Sequence, residues 1–228
     1  SYAYYIRPIL RGRDIKRYSY EFNNLWLIYI PWHFPLQNDK TINGASKIAE
    51  KNFMNDYPAI YKHLLSKKEH LENRNKSETG IRYEWYALQR YGSEYSDDFY
   101  KQKLVWTPVN SEYRFCIVPE KYFINNSLFM ITGQQLELLC AFLNSKLFRA
   151  YFELLLSNGN YAYGSRDFFK NVPIVKESIY SNILISMVKE IYAKKVSSED
   201  IINRIDSIIY KIYDLSESEK EYIENNYK

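Results

Sequence analysis

Near Thr132 the hydrophobic pattern of this 228-residue chain changes period, and that change limits the folds open to it. Before it, short runs rich in β-branched and aromatic residues, at 25–30, 104–109, 114–118 and 127–132, are separated by turn signals in the manner of strands. After it, apolar residues recur at helical spacing. Leu136, Leu139, Leu143 and Leu147 mark one face of a long helix reaching about Leu156, opened by a capping box of Thr132 with Gln135 and closed by Asn158-Gly159. A helix from Ile179 to Lys195 presents Ile183, Met187 and Ile191, and one from Glu199 to Tyr213 presents Ile201, Ile205, Ile208 and Ile212. Ser216 and Glu219 cap a short terminal helix. Ser46 to Leu65 forms a helical interlude in the first half, with Ile48, Phe53, Ile60 and Leu64 as its apolar positions and Pro58 as its break. Lys67 to Thr79 is polar and without period, the end of a helix running into an exposed loop. The fold class is therefore α+β: a twisted, mostly antiparallel sheet region in the first 130 residues, then a long helix and C-terminal helices. Residues 1–176 read as one domain and 177–228 as a helical segment of the same domain or of a separate lobe.

A chain of this length can bury a sizeable core. Aromatic residues make up 18% of it, 24 of them Tyr, whose amphipathic rings can pack, hydrogen-bond or stack on bases, with packing the default. Trp85 and Tyr86, beside a chain reversal, read as core. No apolar run approaches the roughly 18 residues a membrane helix needs, and no signal segment opens the chain; a soluble, cytoplasmic protein is the expectation. Cys116 falls in a strand pattern and Cys140 in a helix pattern, which reads as two reduced, buried thiols. The first residue is Ser rather than Met, so the expectation is a piece of a longer polypeptide. The net charge of +4 is uneven: from Ser197 to Lys228 four basic and eight acidic residues give −4, leaving +8 on residues 1–196. A basic partner surface belongs to the earlier part, and the acidic tail to solvent or another protein.

Catalytic groupings are scarce. No Asn-Pro-Pro-Tyr tetrad exists to hold a flipped adenine, no two prolines are adjacent, and the seven glycines never fall in a phosphate-cradling pattern. Asp14-Ile15-Lys16 has the tail of a nuclease motif without its upstream acid, and Asp97-Asp98 stands alone. His33, His63 and His70 lack cysteine or acidic ligands at metal spacing. The expectation is no catalytic residue, no metal site and no cofactor in this chain.

Four segments can build a binding surface. Arg7 to Tyr18 puts five basic residues and one acid into twelve, and Arg11, Arg13, Lys16 and Arg17 suit phosphate anchoring, the alternative being a charged edge strand. Lys67, Lys68, Arg74, Lys76, Arg82 and Arg90 add charge between Tyr83, Trp85 and Tyr86, diluted by four glutamates into what can equally be a solvated loop. Asn110, Ser111 and Arg114 in a loop between two strands offer the donor and acceptor variety that base edges demand. Asn160, Tyr161, Tyr163, Ser165 and Arg166 follow a glycine that permits unusual backbone angles and close approach to a duplex, or simply a structural turn.

The wording of these segments goes beyond their charge. Arg7-Pro8-Ile9-Leu10-Arg11-Gly12-Arg13-Asp14-Ile15-Lys16-Arg17-Tyr18 resembles the start of the TaqI-like C-terminal specificity domain of adenine-N6 DNA methyltransferases and fused restriction-modification enzymes. Four later blocks are similar to the same family in the same order: residues 85–90 (WYALQR), 103–109 (KLVWTPV) leading to Arg114-Phe115, 143–147 (LNSKL), and Asn158-Gly159 through Val172-Pro173-Ile174. The resemblance implies a target-recognition domain for double-stranded DNA. Its implied partner is an N-terminal methyltransferase domain of the same polypeptide or a partner subunit, which binds S-adenosylmethionine and flips the adenine. A nuclease using Mg2+ stands further upstream in fused members. Two rival readings remain: a specificity subunit that docks methyltransferase partners through its helices, marked by an apolar stripe left exposed on the 199–213 helix, and a metal-dependent nuclease domain, marked by carboxylates clustered around Asp14 or Asp97.

Overall fold

A computed structural model describes residues 4–107, 113–157, 169–170, 172–194 and 199–227. In chain order the strands are β1 (Ile6–Leu10), β2 (Ile15–Lys16), β3 (Ser19–Tyr20), β4 (Trp26–Ile28), β5 (Lys103–Trp106), β6 (Phe115–Val118), β7 (Phe123–Ile124) and β8 (Phe129–Thr132). The helices are α1 (Lys47–Asp56), α2 (Pro58–Leu65), α3 (Lys68–Glu72), α4 (Leu136–Leu143), α5 (Lys146–Ser157), α6 (Ser181–Lys194), α7 (Glu199–Ile212) and α8 (Glu217–Asn226). The chain forms two compact units, Ser1–Arg7 with Trp26–Ser96, and Pro8–Leu25 with Asp97–Lys228. The α+β class holds, with several small, mostly antiparallel sheets and helices to the C terminus.

The first unit is a helical layer closed over aromatic rings. Ser46 caps α1 by accepting from the Ala49 N–H at 3.1 Å. Tyr57 ends α1 and Pro58 opens α2, because the residue before a proline is pushed off the helical region while proline itself suits the first helical position. Phe34, Phe53, Tyr83, Trp85 and Tyr86 form the core beneath, so much of the aromatic content is packing. Ile48, placed by its spacing on the buried face of α1, is instead 69% exposed: Ala49 and Phe53 carry that face inward.

The second unit is built on β5. It pairs antiparallel with β6, Lys103 opposite Val118 and Trp106 opposite Phe115, and with β8, Lys103 opposite Thr132 and Trp106 opposite Phe129. Alternate residues of a strand face opposite ways, and here both faces are covered. Leu104, Trp106, Phe115 and Ile117 join α4, α6 and α7 in one core, while Val105, Cys116 and Val118 join Leu10, Ile15 and Leu128 in another. The last residues of β1 pair in parallel with β7. Cys116 and Cys140 are buried free thiols, each pushed well above its usual pKa by burial.

Three further expectations are corrected. The single long helix is two, α4 and α5, broken at Asn144-Ser145, whose side chains bond the backbone of Phe115 and of Phe142. The Thr132–Gln135 capping box does not form: Thr132 ends β8 with its hydroxyl donating to Asp98 at 3.1 Å, and Gln135 precedes α4 in the left-handed region at φ 56°. Ile183 is 45% exposed, and α6 buries Leu184 and Val188 with Met187 and Ile191. The helices beyond residue 176 belong to the same compact unit as β5, β6 and β8.

Candidate nucleic-acid interface

The basic run from Arg7 to Tyr18 folds into a small structure held by its own charges. Arg11 grips Asp14 with its Nε and one terminal nitrogen, both at 3.0 Å, while its backbone N–H donates to the same carboxylate at 2.8 Å. Asn23 adds a fourth hydrogen bond at 3.0 Å. Burial pushes the Asp14 carboxyl up, but the bonds from Arg11 and Asn23 outweigh it and hold the group below the usual carboxylate range. Gly12 sits where a β-carbon would come within 3.0 Å of Thr107 Cγ2, and its N–H donates to Ser127 Oγ at 2.8 Å. Lys16 is exposed and contacts Glu21. Arg13 is exposed and has no ion-pair partner among the described residues.

At the β2–β3 turn, Tyr18 adopts φ 59°, an uncommon conformation for a bulky residue. Two contacts fix it there. Its N–H donates to the Phe115 carbonyl at 3.1 Å, and its ring is buried in the core of β5, β6 and the helices. Beside it, the Arg17 guanidinium donates twice to the Asn144 carbonyl, at 3.1 and 2.6 Å, and lies 3.8 Å from buried Asp206. Asp206 also accepts from the Lys146 N–H at 2.9 Å, which closes the first turn of α5. Its other oxygen accepts no hydrogen bond from the described residues, and burial pushes its pKa up to about 6 against the pull of the Lys146 N–H and of Arg17.

A cavity of about 380 Å³ opens at this corner, lined by Arg17, Tyr113, Arg114, Leu143, Asn144, Ser145, Lys146, Arg149 and Tyr227. Arg17 and Arg114 come together here from segments nearly 100 residues apart in sequence. Lys146 and Arg149, one helical turn apart at the start of α5, and the rings of Tyr113 and Tyr227 carried no role in the sequence reading. The spacing of Lys146 and Arg149 was the available signal. Lys146 reaches Glu224 of α8 at 2.6 Å and Arg149 lies 3.5 Å from Glu153.

In the first unit the cations divide by role. Arg74 donates to the carbonyls of Leu71, Trp85 and Ala87 at 2.8 to 3.0 Å, clamping the turn that carries Trp85. Arg82 and Arg90 flank Glu78 at 2.9 and 3.2 Å. Lys68 pairs loosely with Glu72 and lies 5.2 Å over the Trp85 ring, and Lys67 and Lys76 are exposed. Asn110, Ser111, Asn160, Tyr161, Tyr163, Ser165 and Arg166 lie outside the described residues. Among the described residues no group of three or more His, Cys, Asp or Glu side chains is placed to hold a metal ion, and no helix is long and apolar enough to cross a membrane.

Scanned against models of protein families, residues 7–174 match the TaqI-like C-terminal specificity domain, about three quarters of the chain. The chain belongs to this family. As a TaqI-like specificity domain it falls among the specificity domains of restriction-modification methyltransferases, a family of recognition rather than catalysis. The match begins at Arg7, takes in the Arg11–Asp14 structure, the Arg17–Asn144 contact and most of the cavity lining, and stops short of α6, α7 and α8.

Proposed function

We propose that this TaqI-like specificity domain recognises double-stranded DNA by sequence and clamps it for an adenine-N6 methyltransferase domain, of the same polypeptide or a partner subunit. The observation that carries the reading is the family match over residues 7–174. The charge distribution supports it, since the acidic C-terminal tail leaves the positive charge on the matched part. Exposed cations such as Arg13, Lys16, Lys67 and Lys76 fix register on the phosphates, and residues 110–111 and 160–166 read base edges. Binding energy spent across the duplex offsets the few kcal/mol needed to unstack the target base. S-adenosylmethionine, and Mg2+ where a nuclease is fused, belong to other domains of the parent enzyme. The docking-subunit reading loses its mark, because Ile201, Ile202, Ile205 and Ile209 of α7 are spent on this domain's own core.

The test is a titration of the chain with a random-sequence duplex library at two salt concentrations, sequencing the bound fraction. An enriched short motif with salt-sensitive affinity is the expected result. Absence of duplex binding at both concentrations overturns the reading.

A further inference from the structure

The cavity at the Asn144-Ser145-Lys146 corner is concave and larger than contact with a backbone phosphate on a duplex surface requires. Its volume of about 380 Å³ lies within the range of pockets that enclose small organic ligands. Among the described residues its lining contains four cations, Arg17, Arg114, Lys146 and Arg149, and no acid. Acids stand behind or beside three of them: Asp206 is buried under Arg17, Glu224 reaches Lys146 from α8, and Glu153 lies one turn along α5 from Arg149. These contacts hold Arg17, Lys146 and Arg149 in place before a ligand arrives, which lowers the ordering cost of binding an anion. Arginine forks suit phosphate oxygens.

The remaining lining is chemically different. Tyr113 and Tyr227 supply aromatic rings and Leu143 an apolar wall. The polar groups that could read a base are committed elsewhere. The Asn144 amide is taken up by Phe115 and the Cys140 sulfur, its carbonyl is held by Arg17, and the Ser145 hydroxyl donates to the Phe142 carbonyl at 2.8 Å. Cations with aromatic rings, and among the described lining no amide or hydroxyl of Asn144 or Ser145 left to read a base, are the chemistry of a site that takes any base with its phosphates.

We propose that this cavity is a nucleotide site: its four cations bind one or two phosphates, and the Tyr113 and Tyr227 rings take the face of a base that has left the duplex stack. A paired base has both faces covered and cannot enter a concave site; an extruded or single-stranded nucleotide can. The DNA origin of that nucleotide rests on the function proposed above, whereas the chemistry of the site does not.

The full chain is titrated with thymidine 3′,5′-bisphosphate and, separately, with inorganic phosphate, following the arginine side-chain N–H resonances by NMR. The bisphosphate is expected to shift the Arg114 and Arg149 resonances and to bind about tenfold tighter than phosphate, the ring contributing the difference. Arg149→Gln weakens both probes, while Tyr227→Leu removes the advantage of the bisphosphate and leaves phosphate binding unchanged. Equal affinity for the two probes, or either variant binding as the unaltered chain does, overturns the proposal. A second titration compares a paired duplex with the same duplex carrying one bulged thymidine. Preference for the bulge, lost in Tyr227→Leu, supports DNA as the source; no preference alongside tight bisphosphate binding overturns that source and leaves a free nucleotide. Bisphosphate binding with no binding to any duplex sinks the DNA-recognition function, not the site.

Discussion

Asn144 meets Phe115 as a neighbouring strand would: its Oδ1 accepts from the Phe115 N–H at 3.0 Å and its Nδ2 donates to the Phe115 carbonyl at 2.9 Å. One side-chain amide thus substitutes for a peptide unit at the outer, buried edge of β6, and the chain between α4 and α5 turns around it. The same residue's carbonyl receives Arg17, so the start of β6, the β2–β3 turn and the start of α5 are joined through one position. Asn144→Ala leaves the Phe115 N–H buried without its partner, a loss of about 2 to 3 kcal/mol by the cost of unsatisfied buried groups. Urea unfolding measures it. A change under about half a kcal/mol would show that the amide contributes little.

Asp14 should make the domain acid-sensitive. Its folded pKa lies below the unfolded value of 3.8, so the stability it contributes is fully present above that value and is lost as pH falls through the folded pKa. Asp14→Asn keeps the shape and removes the charge that Arg11 grips. The variant is expected to be less stable at pH 7 by about 2 kcal/mol, from hydrogen bonds to a charged group, and to approach the unaltered protein as pH falls below 3.8 through the folded pKa. Thermal melts across that range decide it.

Asp206 behaves in the opposite sense. Its pKa is raised to about 6 in the folded protein from an ordinary 3.8, so the native state holds the proton more tightly than the unfolded chain. Its effect is therefore a destabilisation, complete above about pH 6 and relieved as pH falls towards 4, worth about 3 kcal/mol at 1.36 kcal/mol per pKa unit. In Asp206→Asn this term is absent. The stability difference between variant and unaltered protein should shift by about that amount in the variant's favour between pH 4 and pH 7. A difference that stays constant over this interval would show that the carboxyl titrates normally.

The period change at Thr132, the Pro58 break and the Ser216–Glu219 capping box were legible because each depends on residues within a turn or two of one another. The break at Asn144 was not, because the groups that stop the helix belong to Phe115, 29 residues away. Local sequence there favours continuation: Leu139, Leu143 and Leu147 keep helical spacing across it. The basic run shows the same limit. Its charge was plain, and the Arg11–Asp14 pairing three residues apart could be read from spacing, but Asp206 and the Asn144 carbonyl reach Arg17 only through the fold. The cavity was invisible for that reason: its lining comes from the β2–β3 turn, the start of β6, the α4–α5 corner and the C terminus. Ile48 and Ile183 fail differently, since helical spacing identifies a stripe but not which edge of it the neighbours cover.

Among the cations of the matched segment, those serving the fold can be separated from those free to serve a duplex. Arg13 is exposed and unpaired among the described residues, so Arg13→Ala should leave the melting temperature unchanged while weakening binding to all duplexes alike. The slope of log affinity against log salt should fall by about 0.9, the release of one counterion. Arg74 is the opposite case. Its guanidinium fills the carbonyls of Trp85 and Ala87, so Arg74→Met strands them beneath a packed ring and should cost about 2 to 3 kcal/mol with no change in the salt slope of the folded protein. Salt-dependent anisotropy on one duplex, paired with urea melts of both variants, separates the roles. A lowered salt slope in Arg74→Met at full stability would move that residue to the interface, and an unchanged slope in Arg13→Ala would remove Arg13 from it.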